Sequence, residues 1–280
     1  MRSQLRVPLI CAFVLPLATL LQPARFGACA FSQVIHADHV TVRLGSEEGL
    51  QGLYQDLTNL GLTITLRPRQ RSNGSSSALV HLGVFGFELI WRKEYQNAKP
   101  HYSSVFFTGP DLRGTFSSLQ SRGISFDRER VERPREDGKS VGWTIFRIPS
   151  LRTAETGLNF WGEYSDLLQA DLQEQRRRRE RTAKLPVGPL QLIDVAEIAL
   201  ALPGGDSRRE SIVELLSFLH PRAGVDPAAG PAIRLIEGDR YIIDSLTVRV
   251  KSREAAERYI REHNITFGGL KIVLQAYSGK

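Results

Sequence analysis

The pattern of apolar and polar positions changes period several times along this chain. Over residues 35–44, Val40, Val42 and Leu44 alternate with His39, Thr41 and Arg43, the period of two that marks a half-buried strand. Leu50, Leu53, Tyr54, Leu57 and Leu60 then fall at i, i+3, i+4, i+7 and i+10, one face of an amphipathic helix that Gly61 ends with a left-handed cap. Strands follow over 62–67, 78–82 and 85–91, the first two separated by a polar loop at 72–77.

The same unit then recurs. Shifted by 62 positions, Leu50 falls on Leu112, Gly52 on Gly114, Tyr54 on Phe116, Leu57 on Leu119, Gly61 on Gly123 and Leu62 on Ile124. Strands are expected around this second helix at 103–108, 126–132, 143–148 and 158–164, with Asp137-Gly138 as a turn. Residues 166–189 break the pattern. Leu167, Leu168 and Leu172 start a helix that runs into Arg176–Arg179, and Pro186, Gly188 and Pro189 stop it, which reads as a basic connector. Beyond it, residues 193–202 match 35–44 at a shift of 158. A helix with Ile212, Leu215, Leu216 and Leu219 and a strand at 233–236 follow. A fourth unit has a strand at 241–250, a helix at 253–263 capped by Asn264, and a strand at 270–274. The fold class is α+β: two βαβββ modules in a mixed sheet, then a degenerate copy with fewer strands. The expected divisions are 1–30, 31–165, 166–189 and 190–280.

Composition alters this picture mainly at the start. Arg2 and Arg6 precede an apolar stretch over 7–21, and Ala28-Cys29-Ala30 forms a small-residue site, the order of a secretory signal peptide. Cleavage near Ala30 would export the chain, to a periplasm or the medium. Both cysteines, Cys11 and Cys29, would leave with the leader, so disulfides and thiolate ligands are excluded from the mature chain. Arg2, Arg6 and Arg25 account for three of the +7 net charges, leaving +4. That mild surplus, concentrated in the 176–179 run, does not describe a nucleic-acid face. After cleavage no membrane attachment is expected. Asn73-Gly74-Ser75 and Asn264-Ile265-Thr266 fit the glycosylation pattern.

The candidate chemistry lies on the strands. His39 shares a face with Thr41 and Arg43, opposite the apolar face, so it is expected to face a polar cavity. Glu88 stands in a strand whose other face holds Phe87, Leu89 and Trp91, and a carboxylate there is costly to bury without a cation or donor. An imidazole and a carboxylate aimed into one cavity form half of a divalent-metal site. The alternatives are a pocket histidine bonded to backbone or to Glu88, and a Glu88–Arg43 ion pair. His81 is a further cavity candidate, and His36 is read as a strand-edge residue. In the C-terminal copy Glu197 takes the place of His39 and Lys271 that of Glu88, an acid and a base expected to neutralise each other without metal.

The stretch Ile35-His36-Ala37-Asp38-His39-Val40, the stretch Phe87-Glu88-Leu89-Ile90, and the order of elements over some 130 residues resemble the vicinal oxygen chelate proteins. Leu158-Asn159-Phe160-Trp161 resembles the glyoxalase-like branch. The resemblance implies that paired modules curl their sheet around a cavity holding a divalent metal, ligated by His and Glu from both modules. His39 and Glu88 match the first module's ligands; His101 and Glu163 are the weaker counterparts in the second. It further implies a metal-dependent lyase, isomerase or dioxygenase acting on a small oxygenated molecule, or a protein that sequesters a small molecule on the same fold. A homodimer stays open. No nucleophile elbow, phosphate-binding glycine loop or His-Glu-x-x-His is found.

Overall fold

The computed structural model describes residues 34–71, 74–134 and 139–278. The leader-like stretch, Asn73 and the Asp137-Gly138 turn lie outside the described residues. Strand β1 (His36–Leu44) leads through α1 (Glu47–Asn59) to β2 (Thr63–Gln70), β3 (Ser76–Leu82) and β4 (Phe85–Trp91). The second unit runs β5 (His101–Thr108), α2 (Leu112–Gln120), β6 (Asp127–Pro134), β7 (Ser140–Arg152) and β8 (Gly157–Gly162).

Both helices form for the same local reasons. Ser46 caps α1 by accepting the Gly49 N–H, and Asp111 caps α2 by accepting the Gly114 N–H. Each helix ends through a left-handed glycine, Gly61 or Gly123, while Leu62 N–H reaches the Leu57 carbonyl and Ile124 N–H that of Leu119. The 62-residue shift therefore holds at the helix C-termini. At the N-termini the two caps are 65 apart, because the shorter α2 starts later relative to its terminating glycine. That difference carries into the strands and decides which residues are equivalent.

The strand order is β2-β3-β4-β1-β5-β8-β7-β6, symmetric about the β1/β5 pair. β1 and β5 are antiparallel, with His39 opposite Phe106, Val40 opposite Val105 and Thr41 opposite Ser104. Each then pairs in parallel with the last strand of its own module, β4 or β8. The convex face carries Val40, Val42, Val105 and Phe107, all fully buried. Leu50, Leu53 and Leu57 of α1 cover one half of it. Under α2 the packing is aromatic: Phe116 lies 4.4 Å from Phe146 and 5.1 Å from Phe160, centroid to centroid.

The C-terminal half comprises β9 (Leu192–Leu202), α4 (Arg208–Leu216), β10 (Ala232–Glu237), β11 (Ile242–Val250), α5 (Arg253–Glu262) and β12 (Ile272–Ala276). Its order, β10-β9-β11-β12, reproduces the central β4-β1-β5-β8 of the larger sheet without the outer hairpins. Four strands give it less width to curl around a ligand. It packs β11 against β5 behind the larger sheet, and the Tyr102 hydroxyl donates to the Lys271 carbonyl across the join. Glu197 and Lys271 do not neutralise each other as expected. Glu197 meets Arg234 at 2.8 Å and Lys271 meets Asp244 at 2.7 Å, because β10 and the start of β11 bring opposite charges nearer.

The segment read as a connector has a further role. Helix α3 (Asp166–Thr182) crosses the concave side of the larger sheet. Its arginine run is divided by helical periodicity: Arg178 faces outward to Glu174, while Arg176 contacts His36. No helix among the described residues is long and apolar enough to cross a membrane.

Candidate functional site

The concave face of the larger sheet and α3 enclose a cleft of about 550 Å3. Thr41, Arg43, Glu88, Phe106, Asn159 and Trp161 line the sheet side, and Leu168, Leu172 and Gln175 line the helix side. Among the described residues six arginines against three carboxylates border it, which makes the field of this lining positive.

His39 lies just beneath this floor and is 1% exposed. Phe106 stacks on its ring at 4.5 Å and Trp161 meets it edge-on at 4.8 Å, which seals it from the open cleft. Its orientation comes from a β-bulge. The β1/β5 register skips from Ala37/Phe107 to His39/Phe106, leaving Asp38 unpaired. Neighbouring side chains on a regular strand point to opposite faces. The bulge turns Asp38 and His39 to one side, and His39 Nδ1 donates to Asp38 Oδ2 at 2.8 Å. Burial works against the Asp38 charge, yet that hydrogen bond and the nearby imidazoles hold its carboxyl well below the usual carboxylate range. The other ring nitrogen, Nε2, is directed away from Asp38. It is buried, has no hydrogen-bond partner among the described residues, and faces Glu88 Oε2 at 3.7 Å.

Glu88 is held from its other side. Thr41 Oγ1 lies 3.4 Å from Oε2 and Arg71 Nη2 3.5 Å from Oε1. Arg43 is not its partner; Arg43 donates to the Ala154 carbonyl at 2.6 Å and lies over the Tyr95 ring. His81 sits on the same sheet face but under the floor, 4% exposed and hydrogen-bonded to Thr65. Gly86 lies between the two imidazoles in the cross-strand row. A Cβ there would stand 2.9 Å from His39 Cβ and 3.0 Å from His81 Nε2, so only glycine admits both rings. Burial, reinforced by the Arg179 cation, pushes the His81 imidazole down to about 3; burial and Arg176 do the same to His36.

The remaining candidates lie elsewhere. His101 is the first residue of β5, opposite Arg43, with Nδ1 at 2.9 Å from the Lys99 carbonyl. Glu163 follows β8 at φ +49°, pairs with Arg128 at 3.0 Å, and borders a separate groove beside α2. The register gives other equivalents. Thr41/Ser104 and His39/Phe106 are symmetric pairs, so Ser104 occupies the place of His39. On the last strands Gly86 and Gly157 correspond, and Asn159 occupies the place of Glu88. Asp38, Ser104 and Asn159 were missed by sequence reasoning. A bulge leaves no trace in an alternation of hydropathy, and the three-residue difference between the helix caps displaces any alignment based on their ends. Among the described residues no group of three or more His, Cys, Asp or Glu side chains is placed to hold a metal ion.

No family model and no curated protein sequence matches this chain. Solved structures do. A hypothetical protein from Staphylococcus aureus superposes with a TM-score of 0.53 at 10% identity, over 87% of this chain and 100% of that one. A variant of 4-hydroxymandelate synthase from Streptomyces coelicolor superposes with a TM-score of 0.50 at 11% identity, over 82% of this chain and 75% of that one. The fold is that of the vicinal oxygen chelate proteins, with paired modules around one cleft and a reduced second pair behind it.

Proposed function

We propose that the cleft binds a small oxygenated molecule and that His39 and Glu88 hold one divalent metal ion at its floor. The observation that carries this is the facing pair, His39 Nε2 and Glu88 Oε2, at 3.7 Å. An imidazole nitrogen facing a carboxylate oxygen in a buried site calls for a cation between them, a proton or a metal ion. The gap is long for a hydrogen bond, and it suits two donors that each bond one ion at about 2.0–2.2 Å. Asp38 supplies the outer carboxylate that commonly fixes a metal-bound histidine. Such an ion, when bound, polarises an oxygen of the substrate. The chain's own groups do the rest: Asp38 fixes the His39 tautomer, Phe106 and Trp161 exclude water, and α3 covers the ligand. This reading places the protein outside the cytoplasm, on the leader-like pattern of residues 1–30.

The second module favours a further reading, a binding protein without chemistry, since it offers Ser104 and Asn159 where the first offers His39 and Glu88. Metal analysis of the purified protein separates the two. Metal near one equivalent, lost in both His39→Ala and Glu88→Ala and weakened about 10–100-fold in Asp38→Asn, supports the metal site. Metal content unchanged in these variants, or a metal-free protein that retains a small molecule, overturns it.

A further inference from the structure

The second module's half of the cleft has its own chemistry. Around Gly157, the counterpart of Gly86, the sheet gathers Ser104, Asn159 and Arg152. A Cβ at Gly157 would lie 3.4 Å from Asn159 Nδ2 and 3.7 Å from both Ser104 Oγ and Arg152 Cγ. All three residues line the cleft, as do Thr156 and Trp161. Thr156 and Asn159 are 1% and 5% exposed. The Thr156 hydroxyl, the Asn159 Oδ1 and the Trp161 Nε1 are buried with no hydrogen-bond partner among the described residues. Leaving such groups buried and unsatisfied is destabilising. An indole N–H can only donate, so Trp161 requires an acceptor that none of the described residues supplies.

We infer that this half of the cleft is an oxyanion subsite, built to take the carboxylate or phosphate group of the small-molecule ligand. Where the first module presents an imidazole and a carboxylate, suited to a cation, the two-fold equivalent positions present a hydroxyl, an amide and a neighbouring guanidinium. Asn159 Nδ2 and the two hydroxyls donate to anionic oxygens, while Asn159 Oδ1, an acceptor, is left for a donor group of the same ligand. Arg152 and the arginine surplus of the cleft supply the charge, and the Trp161 N–H adds a directional donor. The subsite lies two strands from β1, about 10 Å across the sheet. The ligand is therefore a small anion reaching from Glu88 toward Arg152, with Phe106 and Trp161 offering it flat apolar faces. The inference rests on the reading of the cleft as a ligand site and not on the metal.

The test uses benzoate and benzamide, planar molecules of the same shape that differ in charge, titrated against the full chain with intrinsic tryptophan fluorescence as the readout. Each titration is run with a chelator and again with Mn2+. Benzoate is expected to bind at least tenfold tighter than benzamide. Arg152→Gln, an exposed position that leaves the fold intact, and Trp161→Phe, read by calorimetry, should each shrink that ratio severalfold. A ratio that persists with the chelator supports the oxyanion subsite even if the metal site fails. Competition by inorganic phosphate assigns the subsite to phosphate compounds; benzoate binding without that competition assigns it to carboxylates. Equal binding of the two probes, binding of neither at millimolar concentration, or a ratio unchanged in both variants overturns the inference.

Discussion

Acidification from pH 7 to pH 5 is expected to destabilise the fold through His81. The ring is 4% exposed, hydrogen-bonded to Thr65, backed by Gly86 and close to the Arg179 cation. Folded, it protonates only near pH 3; in the unfolded chain it does so at about 6.5. Its folded pKa is depressed, so below about 6.5 the unfolded state binds the extra proton and stability falls as the pH falls. One such histidine contributes a slope approaching about 1.4 kcal/mol per pH unit, or about 2 kcal/mol between pH 7 and 5, and the loss levels off near pH 3. His36 acts in the same direction with less weight, because it is less enclosed. The assay is urea unfolding at pH 7, 6 and 5, for the native chain and for His81→Gln. Glutamine keeps a partner for Thr65 and does not titrate. The variant should lose about 2 kcal/mol less than the native chain over this range. Every other titrating group is common to both, so the difference isolates His81. An equal loss in the two proteins would refute the burial argument.

Two further substitutions test the packing that positions the site. Gly86→Ala places a methyl group against His39 and His81; it should cost about 1–3 kcal/mol in thermal unfolding and shift the His39 ring 15N signals. Gly52→Ala, in the middle of α1 with open space around it, should instead stabilise by about 0.5–1 kcal/mol. In the C-terminal half, Asp194 and Arg249 form a buried ion pair, with Arg249 also reaching the Gly224 and Val225 carbonyls. Asp194→Asn leaves that guanidinium unpaired and should cost about 3–5 kcal/mol by denaturant titration, whereas Asp194→Leu combined with Arg249→Met should restore most of the loss.

The sequence by itself determined the order of elements, the internal repeat and the face of each strand. Alternation along a strand and the 3.6-residue period of a helix are local consequences of backbone geometry, so Val40, Val42, Leu50 and Leu57 announce their burial in their spacing. It also placed His39, Thr41 and Glu88 on one side of the sheet. The tertiary structure decided what that side does. Which residue of one module stands opposite which residue of the other depends on strand register, and register is a relation between distant segments. Only the pairing of β1 with β5, and of each with the last strand of its own module, shows that Ser104 and Asn159, rather than His101 and Glu163, complete the symmetric set. The bulge at Asp38, the aromatic lid over His39 and the passage of α3 across the cleft are long-range packing outcomes as well. They turn an imidazole expected to face a polar cavity into one sealed beneath it, with Nε2 directed at Glu88.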